Sequence, residues 1–254
     1  MSDYADVSLL NKTVVCVSRI VRVILELSKE RDDLEVIAGV DYKAPENEVF
    51  SFSTYTDYSN IETKPDVIID FSNPVALDGI LSYALANEVP VVICTTGFSE
   101  EQLAKIDEAS KSIPVFFSAN MSIGVNLISE LAKKAAEILY PGFNIEIVEA
   151  HHNQKLDAPS GTALMIADEI ASVLPEKVDY ETNRAAKREK RPVNEIGIHA
   201  VRAGTIVGEH EVIFGGPDEV IKISHHAASR KIFANGALNA AAFLAGKAPG
   251  KYSM

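Results

Sequence analysis

Apolar and polar positions follow two different patterns along the 254 residues. In the first half, short apolar runs are separated by amphipathic stretches. The runs are 13–17 (TVVCV), 34–40, 67–71 (VIIDF), 90–94 (PVVIC) and 114–117 (PVFF). They are apolar throughout, not alternating, as expected of strands covered on both faces. The stretches 21–30, 74–86 and 100–110 have helical spacing; Val21, Ile24, Leu25 and Leu27 share one face. Strand and helix in turn predict an α/β fold with a Rossmann-like, doubly wound parallel sheet.

The second half reads differently. A long helix is predicted over 126–139, ended by Pro141-Gly142. Strand-like segments follow at 145–150 (IEIVEA), 196–202, 204–207, 211–214 and 220–225, with one embedded helix over 160–173. Strands without intervening helices predict an α+β domain with a mixed or antiparallel sheet. A last helix, 235–244, closes the chain. The expected organisation is a dinucleotide-type domain over 1–121, joined by 231–254, and a second domain over 122–230.

Charge narrows the partners. Thirty-six acidic residues against 24 basic ones give a net charge of −12, a poor match for nucleic acid or anionic membrane. No apolar run reaches the ~18–20 residues of a membrane span, and the first residues lack a basic-then-apolar signal. The two cysteines, Cys16 and Cys94, each sit inside an apolar run. They read as small core residues of a reducing compartment, the cytoplasm. The basic run 184–191 (RAAKREKR) reads as a solvated helix face or loop.

Chemistry concentrates in residues 149–163, EAHHNQKLDAPSGTA, between a strand and a helix. Ser160, Gly161 and Thr162 stand at a predicted helix N-terminus, where free N–H groups, hydroxyls and the dipole favour an anion such as a carboxylate. Ser160 also suits a plain helix cap. Lys155 can give a proton or pair with a carboxylate. The adjacent His151 and His152 can supply one acid/base group and one orienting donor. A zinc site would need the distant His210, His225 or His226 and has no cysteine nearby, so no metal is expected.

This segment resembles the active-site motif of the dihydrodipicolinate reductase (4-hydroxy-tetrahydrodipicolinate reductase) family, E-A-H-H-x-x-K-x-D-A-P-S-G-T-A, at every fixed position. Asp70-Phe71-Ser72 with Pro74, Thr95-Thr96-Gly97-Phe98, Ala119-Asn120-Met121-Ser122, residues 198–211 and Phe233-Ala234-Asn235-Gly236-Ala237 also look like family segments. The likeness spans about residues 34–254. It implies hydride transfer from NADH or NADPH to an unsaturated cyclic dicarboxylate, followed by protonation, in the diaminopimelate route to lysine. It implies Lys155 as proton donor, His151 as the acid/base partner, and His152, Ser160, Gly161 and Thr162 as substrate ligands. Phe71, Thr95, Thr96, Gly97, Ala119, Asn120 and Met121 would line the cofactor. Asp41, ending the second strand, is placed for the adenosine ribose hydroxyls, and Lys43 tolerates a 2′-phosphate. The family's homotetramer is assembled through the sheet of the second domain, which makes 122–230 the substrate-binding and oligomerisation domain.

One segment departs from the family. Where its first βα turn carries G-x-x-G-x-x-G, a gapless alignment here sets Val15, Ser18 and Val21 on the three glycines. The bulk opposes a tight turn and close approach of a pyrophosphate. A shorter loop, with Ser18 capping a helix near Arg19 and with Arg19 or Arg22 adding charge, is the other reading. The departure leaves room for a non-catalytic relative that keeps the dicarboxylate site but binds cofactor weakly. Arg202 and Arg230 are candidates either for a second substrate carboxylate or for structural ion pairs.

Overall fold

The computed structural model describes residues 13–16, 21–41 and 52–254. The glycine-free turn at 17–20 and Lys43 lie outside them, as does the Cys16 side chain. The chain divides into two compact units, Met1–Met121 with Lys231–Met254, and Ser122–Arg230.

In the first unit the elements run β1 (Thr13–Cys16), α1 (Val21–Ser28), β2 (Val36–Val40), β3 (Ser53–Tyr55), β4 (Val67–Asp70), α2 (Leu77–Asn87), β5 (Val91–Ile93), α3 (Glu100–Ala109) and β6 (Pro114–Phe117). The second unit holds α4 (Ile123–Leu139), β7 (Asn144–His151), α5 (Gly161–Ala171), β8 (Asp179–Glu181), β9 (Glu195–Arg202), β10 (Gly208–Gly215) and β11 (Val220–Ala227). The chain then returns to the first unit with α6 (Lys231–Leu244) and β12 (Gly250–Tyr252).

The first sheet is parallel throughout, in the order β12-β6-β5-β4-β1-β2-β3. Successive side chains of a strand face opposite sides, and both sides are covered. Ile68, Val91 and Ile93 pack with Leu77, Ile80 and Ala84 of α2 and Ile106 of α3. Val67, Ile69 and Val92 pack with Ile24 of α1 and Ala237, Leu238 and Ala241 of α6. This two-sided burial is why the strands read as unbroken apolar runs. Cys94 is buried, and burial pushes its thiol up, as suits a core residue.

The second sheet has the order β11-β10-β7-β9-β8 and is mixed: β7, β8 and β9 are parallel, while β10 runs against β7 and β11. Its inner face, including Ile145, Ile147, Ile198, Val212 and Phe214, is covered by α4 and α5. Residues 204–207 are a turn between β9 and β10, not a strand, with Gly204 at φ +49°. The long helix starts three residues earlier than its hydrophobic spacing indicates. Ser122 caps it by accepting the Val125 N–H at 3.2 Å, and Gly124 is used inside it because the His225 ring packs there.

The basic run is not simply solvated. Arg184 pairs with the buried carboxylate of Glu195 at 2.9 Å, and Lys187 with Glu181. Arg191 reaches Glu146 at 2.9 Å, Asn144 at 2.8 Å and the Ile145 carbonyl at 2.7 Å. These cations fasten the segment to the β7–β9 end of the sheet.

Gly236 lies where α6 crosses the end of the 119–121 loop. A Cβ there would come within 1.8 Å of the Met121 carbonyl oxygen, a backbone atom that cannot turn aside. Gly236→Ala is therefore expected to lower unfolding stability by at least ~1–3 kcal/mol, the range of core overpacking. Denaturant titration checks this; an unchanged midpoint overturns the packing account.

Candidate active site

The second sheet sets one cluster of polar side chains by its register. His151 of β7 pairs with Arg202 of β9, and Glu149 of β7 pairs with His210 of β10. Glu149 and His151 are two apart on one strand, so they share a face. Cross-strand partners share it too. Three strands therefore bring Glu149, His151, Arg202 and His210 together.

Glu149 is fully buried, and both its oxygens are saturated. Oε1 accepts from Arg202 Nη2 at 2.7 Å and from the Ser160 N–H at 3.0 Å. Oε2 accepts from His151 Nδ1 at 2.7 Å and Arg202 Nη1 at 2.8 Å. Burial alone would push this carboxyl up; the Arg202, His151 and Ser160 hydrogen bonds outweigh it and hold the group below its usual range. Arg202 is thus the partner of a buried carboxylate, the ion-pair reading of this residue. Its Nη2 also donates to the Asp157 carbonyl at 2.6 Å, which ties down the following loop.

That loop carries the rest of the motif. The Lys155 N–H donates to the His152 carbonyl at 3.1 Å, closing a turn, and the Asn153 N–H reaches the Gly204 carbonyl at 3.2 Å. Lys155 Nζ pairs with Asp157 at 2.9 Å. Burial raises the Asp157 carboxyl, but the Lys155 ammonium brings it below the usual range. His152 lies with Nε2 at 3.5 Å from the Arg230 guanidinium. Leu156 is 98% exposed, so nothing among the described residues covers the loop's outer side there.

Ser160 opens α5. Its hydroxyl accepts the Ala163 N–H at 3.1 Å and meets His210 Nε2 at 3.2 Å. The plain-cap reading of Ser160 is therefore realised, and its side chain is turned inward, 1% exposed. Gly161 is exposed, with nothing within 4 Å of where a Cβ would sit, and Thr162 is half-buried. The side of the helix start that an anion can approach is the Gly161-Thr162 side.

Two members of this cluster carry no role in the sequence reading. Glu149 heads the motif, and only its i, i+2 spacing from His151 hinted at a shared face. His210 is remote in sequence, and register alone brings it in. Its ring stands edge-on to His151, centroids 5.3 Å apart. Burial, then the neighbouring His151, pushes His210 down to about 4. His151 is also lowered: burial and the Lys155 and Arg202 charges outweigh the Glu149 hydrogen bond. Both imidazoles are neutral at neutral pH. With Glu149 able only to accept, His151 carries its proton on Nδ1 and keeps the Nε2 lone pair.

In the first unit, Asp41, Phe71, Thr95, Thr96, Gly97, Ala119, Asn120 and Met121 all lie just past the ends of β2, β4, β5 and β6, on the carboxyl edge of the parallel sheet. Strand order reverses between β4 and β1, and such a switch point makes a crevice at that edge. Thr96, Gly97 and Ala119 are exposed there, while Thr95, Asn120 and Met121 are buried. Asp70, fully buried at the end of β4, accepts the Ser72 N–H at 2.8 Å and the Ser72 hydroxyl. Burial pushes its carboxyl up against the pull of Ser72 and Thr95.

The lowered His210 makes stability depend on pH. The unfolded chain takes up this proton near 6.5, the folded one near 4. Its contribution is complete above pH 6.5 and is lost as pH falls toward 4, roughly 3 kcal/mol in all. Melting curves from pH 4 to 7 should show the midpoint rising with pH, with a shallower slope in His210→Asn. Equal slopes would remove His210 as the source.

Comparison with known proteins follows the same division. The family model described as Dihydrodipicolinate reductase, N-terminus, matches residues 16–121, and the one described as Dihydrodipicolinate reductase, C-terminus, matches residues 124–254. A 4-hydroxy-tetrahydrodipicolinate reductase of Caldanaerobacter subterraneus subsp. tengcongensis is 54% identical, over 94% of both chains. One from Clostridium tetani is 48% identical over 95% of this chain and 93% of its own. A dipicolinate-bound dihydrodipicolinate reductase from Paenisporosarcina sp. TG-14 shares the fold, with a TM-score of 0.79 at 24% identity over 96% of this chain and 98% of that one.

Proposed function

The chain belongs to the dihydrodipicolinate reductase family, and we propose from that premise how its own residues carry the reaction. It is an oxidoreductase that depends on a pyridine nucleotide, and its substrate is a small cyclic dicarboxylate. The reaction is reduction of 4-hydroxy-tetrahydrodipicolinate to tetrahydrodipicolinate, a step toward diaminopimelate and lysine. One hydride and one proton enter the substrate, and water leaves.

The observation that carries the residue roles is the Glu149 cluster, which brings a neutral imidazole and an open helix start to one buried anchor. The Gly161-Thr162 side of α5 receives a substrate carboxylate, through backbone N–H groups and the dipole of an 11-residue helix. Ser160 serves that grip by closing the turn. His152, with Arg230 beside it, takes part in holding the substrate. Lys155 gives the proton; an incoming carboxylate competes with Asp157 for its ammonium and draws Nζ to the substrate. His151 accepts or relays a proton at Nε2.

The carboxyl edge of the first sheet fits a dinucleotide. Gly97 stands at φ +83° with open space where a Cβ would be, so a ligand ring can lie against its backbone. Phe71, Thr95, Thr96, Ala119, Asn120 and Met121 line the same edge, and Asp41 takes the ribose hydroxyls. Bound there, NADH or NADPH supplies the hydride. Asp41 favours NADH and Lys43 tolerates NADPH, so both are expected to serve. We also infer a cytoplasmic homotetramer built on the five-stranded sheet; the exposed Val201 and Val220 support an outer face that pairs with another copy.

Titration of NADH and NADPH by calorimetry, with and without pyridine-2,6-dicarboxylate, tests the enzyme reading. Micromolar cofactor binding sustains it. Dicarboxylate binding without cofactor binding would favour a relative that has lost turnover, the reading that the glycine-free turn motivates. In the active enzyme, Lys155→Ala should lower turnover by ~10²–10⁴-fold, the range for losing a positioned proton donor, with cofactor affinity unchanged. Steady-state rates and the same titration measure both; surviving turnover overturns the role of Lys155.

A further inference from the structure

Glu149 belongs to none of the groups expected to touch substrate, yet its carboxylate accepts four hydrogen bonds. One carboxylate takes donors from three directions: His151 on its own strand, Arg202 on β9, and the Ser160 backbone at the start of α5. A counter-ion for Arg202 alone would need only the two guanidinium contacts. The other two reach one proton-handling residue and the turn assigned to the substrate carboxylate.

We propose that Glu149 is the positioning residue of this site: its one carboxylate fixes both the tautomer of His151 and the start of the anion-binding helix. The inference rests on the reading of His151 and the 160–162 turn given above. Its physical basis is the acceptor-only nature of a carboxylate. Facing Oε2 at 2.7 Å, Nδ1 must carry hydrogen, which leaves Nε2 as the one nitrogen able to take a proton. Facing Oε1 at 3.0 Å, the Ser160 N–H is committed inward, which sets where the Gly161 and Thr162 N–H groups point.

The other charged or titratable groups around His151 do not set its tautomer. Arg202 on β9 and Lys155 in the following loop are cations that disfavour its protonated form, and His210 on β10 meets it ring edge to ring face, its Nε2 engaged with Ser160. Arg202 steadies Glu149 but offers His151 nothing to donate to. A positioning role and a merely structural ion pair therefore predict different consequences for different substitutions at position 149.

Glu149→Gln keeps the shape and one acceptor oxygen. That oxygen can stay with Ser160 and Arg202 Nη2, while the amide NH2 gives up the Arg202 Nη1 bond, faces His151 Nδ1 and forces hydrogen onto Nε2. Nitrogen-15 NMR of the free protein should then show His151 changing from the Nδ1–H to the Nε2–H tautomer. Turnover should fall by ~10²–10⁴-fold, as when an amide replaces the carboxylate that orients a catalytic histidine. The pH limb reporting His151 should move to lower pH, and dipicolinate affinity should stay within about threefold. Glu149→Ala loses both anchors, so the tautomer should become mixed and dipicolinate affinity should drop by about tenfold. Arg202→Met should leave the His151 tautomer as it is.

The proposal is overturned if Glu149→Gln keeps the wild-type tautomer and pH profile, if Glu149→Ala keeps dipicolinate affinity, or if Arg202→Met reproduces the tautomer change. Should Glu149→Ala fail to fold because it strands the guanidinium, the double variant Glu149→Ala/Arg202→Met carries the same test. Wild-type turnover and dipicolinate binding test the underlying reading separately, and the tautomer of the free protein is read without either.

Discussion

A carboxylate with no access to water is tenable only when its partners are complete, and Glu149 is such a group. Its four hydrogen bonds fill both oxygens, two of them from one guanidinium in bidentate geometry. Removing either partner of a buried pair costs roughly 3–5 kcal/mol, because the charge left behind is unpaired. The fold must therefore keep β9 in register with β7, so that Arg202 arrives opposite His151. It must also bring the chain back after β7 so that the Ser160 N–H meets Oε1. A slip of one residue in either strand would turn Arg202 or Glu149 to the opposite face. The 152–159 loop is held at both ends by this requirement: Arg202 also grips the Asp157 carbonyl, and the Ala203 N–H donates to the His151 carbonyl at 2.9 Å.

The two units solve opposite problems. The second buries charge to place charge. The first buries apolar strands on both faces, and polar residues such as Thr95, Thr96 and Asn120 gather in the loops past the strand ends. Asp70 is sunk beneath that edge, and its carboxyl closes the Ser72 turn that follows β4. α6, which follows the second unit in sequence, supplies much of one helical layer of the first. Gly236 in α6 allows the Met121 carbonyl to approach the helix backbone, so the last segment of the chain helps fix the loop that ends the first unit.

What the sequence made legible follows from which interactions are local. Buried strands and amphipathic helices announce themselves by their periods, so β1, β4, β5, β6 and most helices fall close to where the pattern sets them. β3, β8 and β12 are three residues each and sit at or next to sheet edges, too short and too polar for a period to show. Residues 204–207 look strand-like in composition, but Gly204 at positive φ makes them a turn. The motif around Lys155 was readable because its parts are contiguous. Glu149 with Arg202, and Ser160 with His210, are 53 and 50 residues apart. Only the pairing of β7 with β9 and β10 joins them, and no local pattern encodes register. The basic run shows the same limit: its cations find Glu146 and Glu195 through the fold, not through spacing.

The glycine-free first turn has to be weighed against this division. A helix N-terminus attracts phosphate through backbone N–H groups and the dipole, which valine and serine also possess. What the missing glycines remove is clearance. The loss is therefore confined to the pyrophosphate end of the cofactor. It does not reach the loops after β4, β5 and β6, where Gly97 has a positive φ and open space beside its backbone. The pyrophosphate is held alike in the ground and transition states, so weakening its site is a loss of uniform binding. Such a loss raises the KM for cofactor and leaves kcat to the groups around the reacting atoms. Altered cofactor affinity and intact chemistry are therefore compatible in one chain. A weakened pyrophosphate site changes how much cofactor the chain needs, while in the second unit the Glu149 carboxylate keeps all four of its donors.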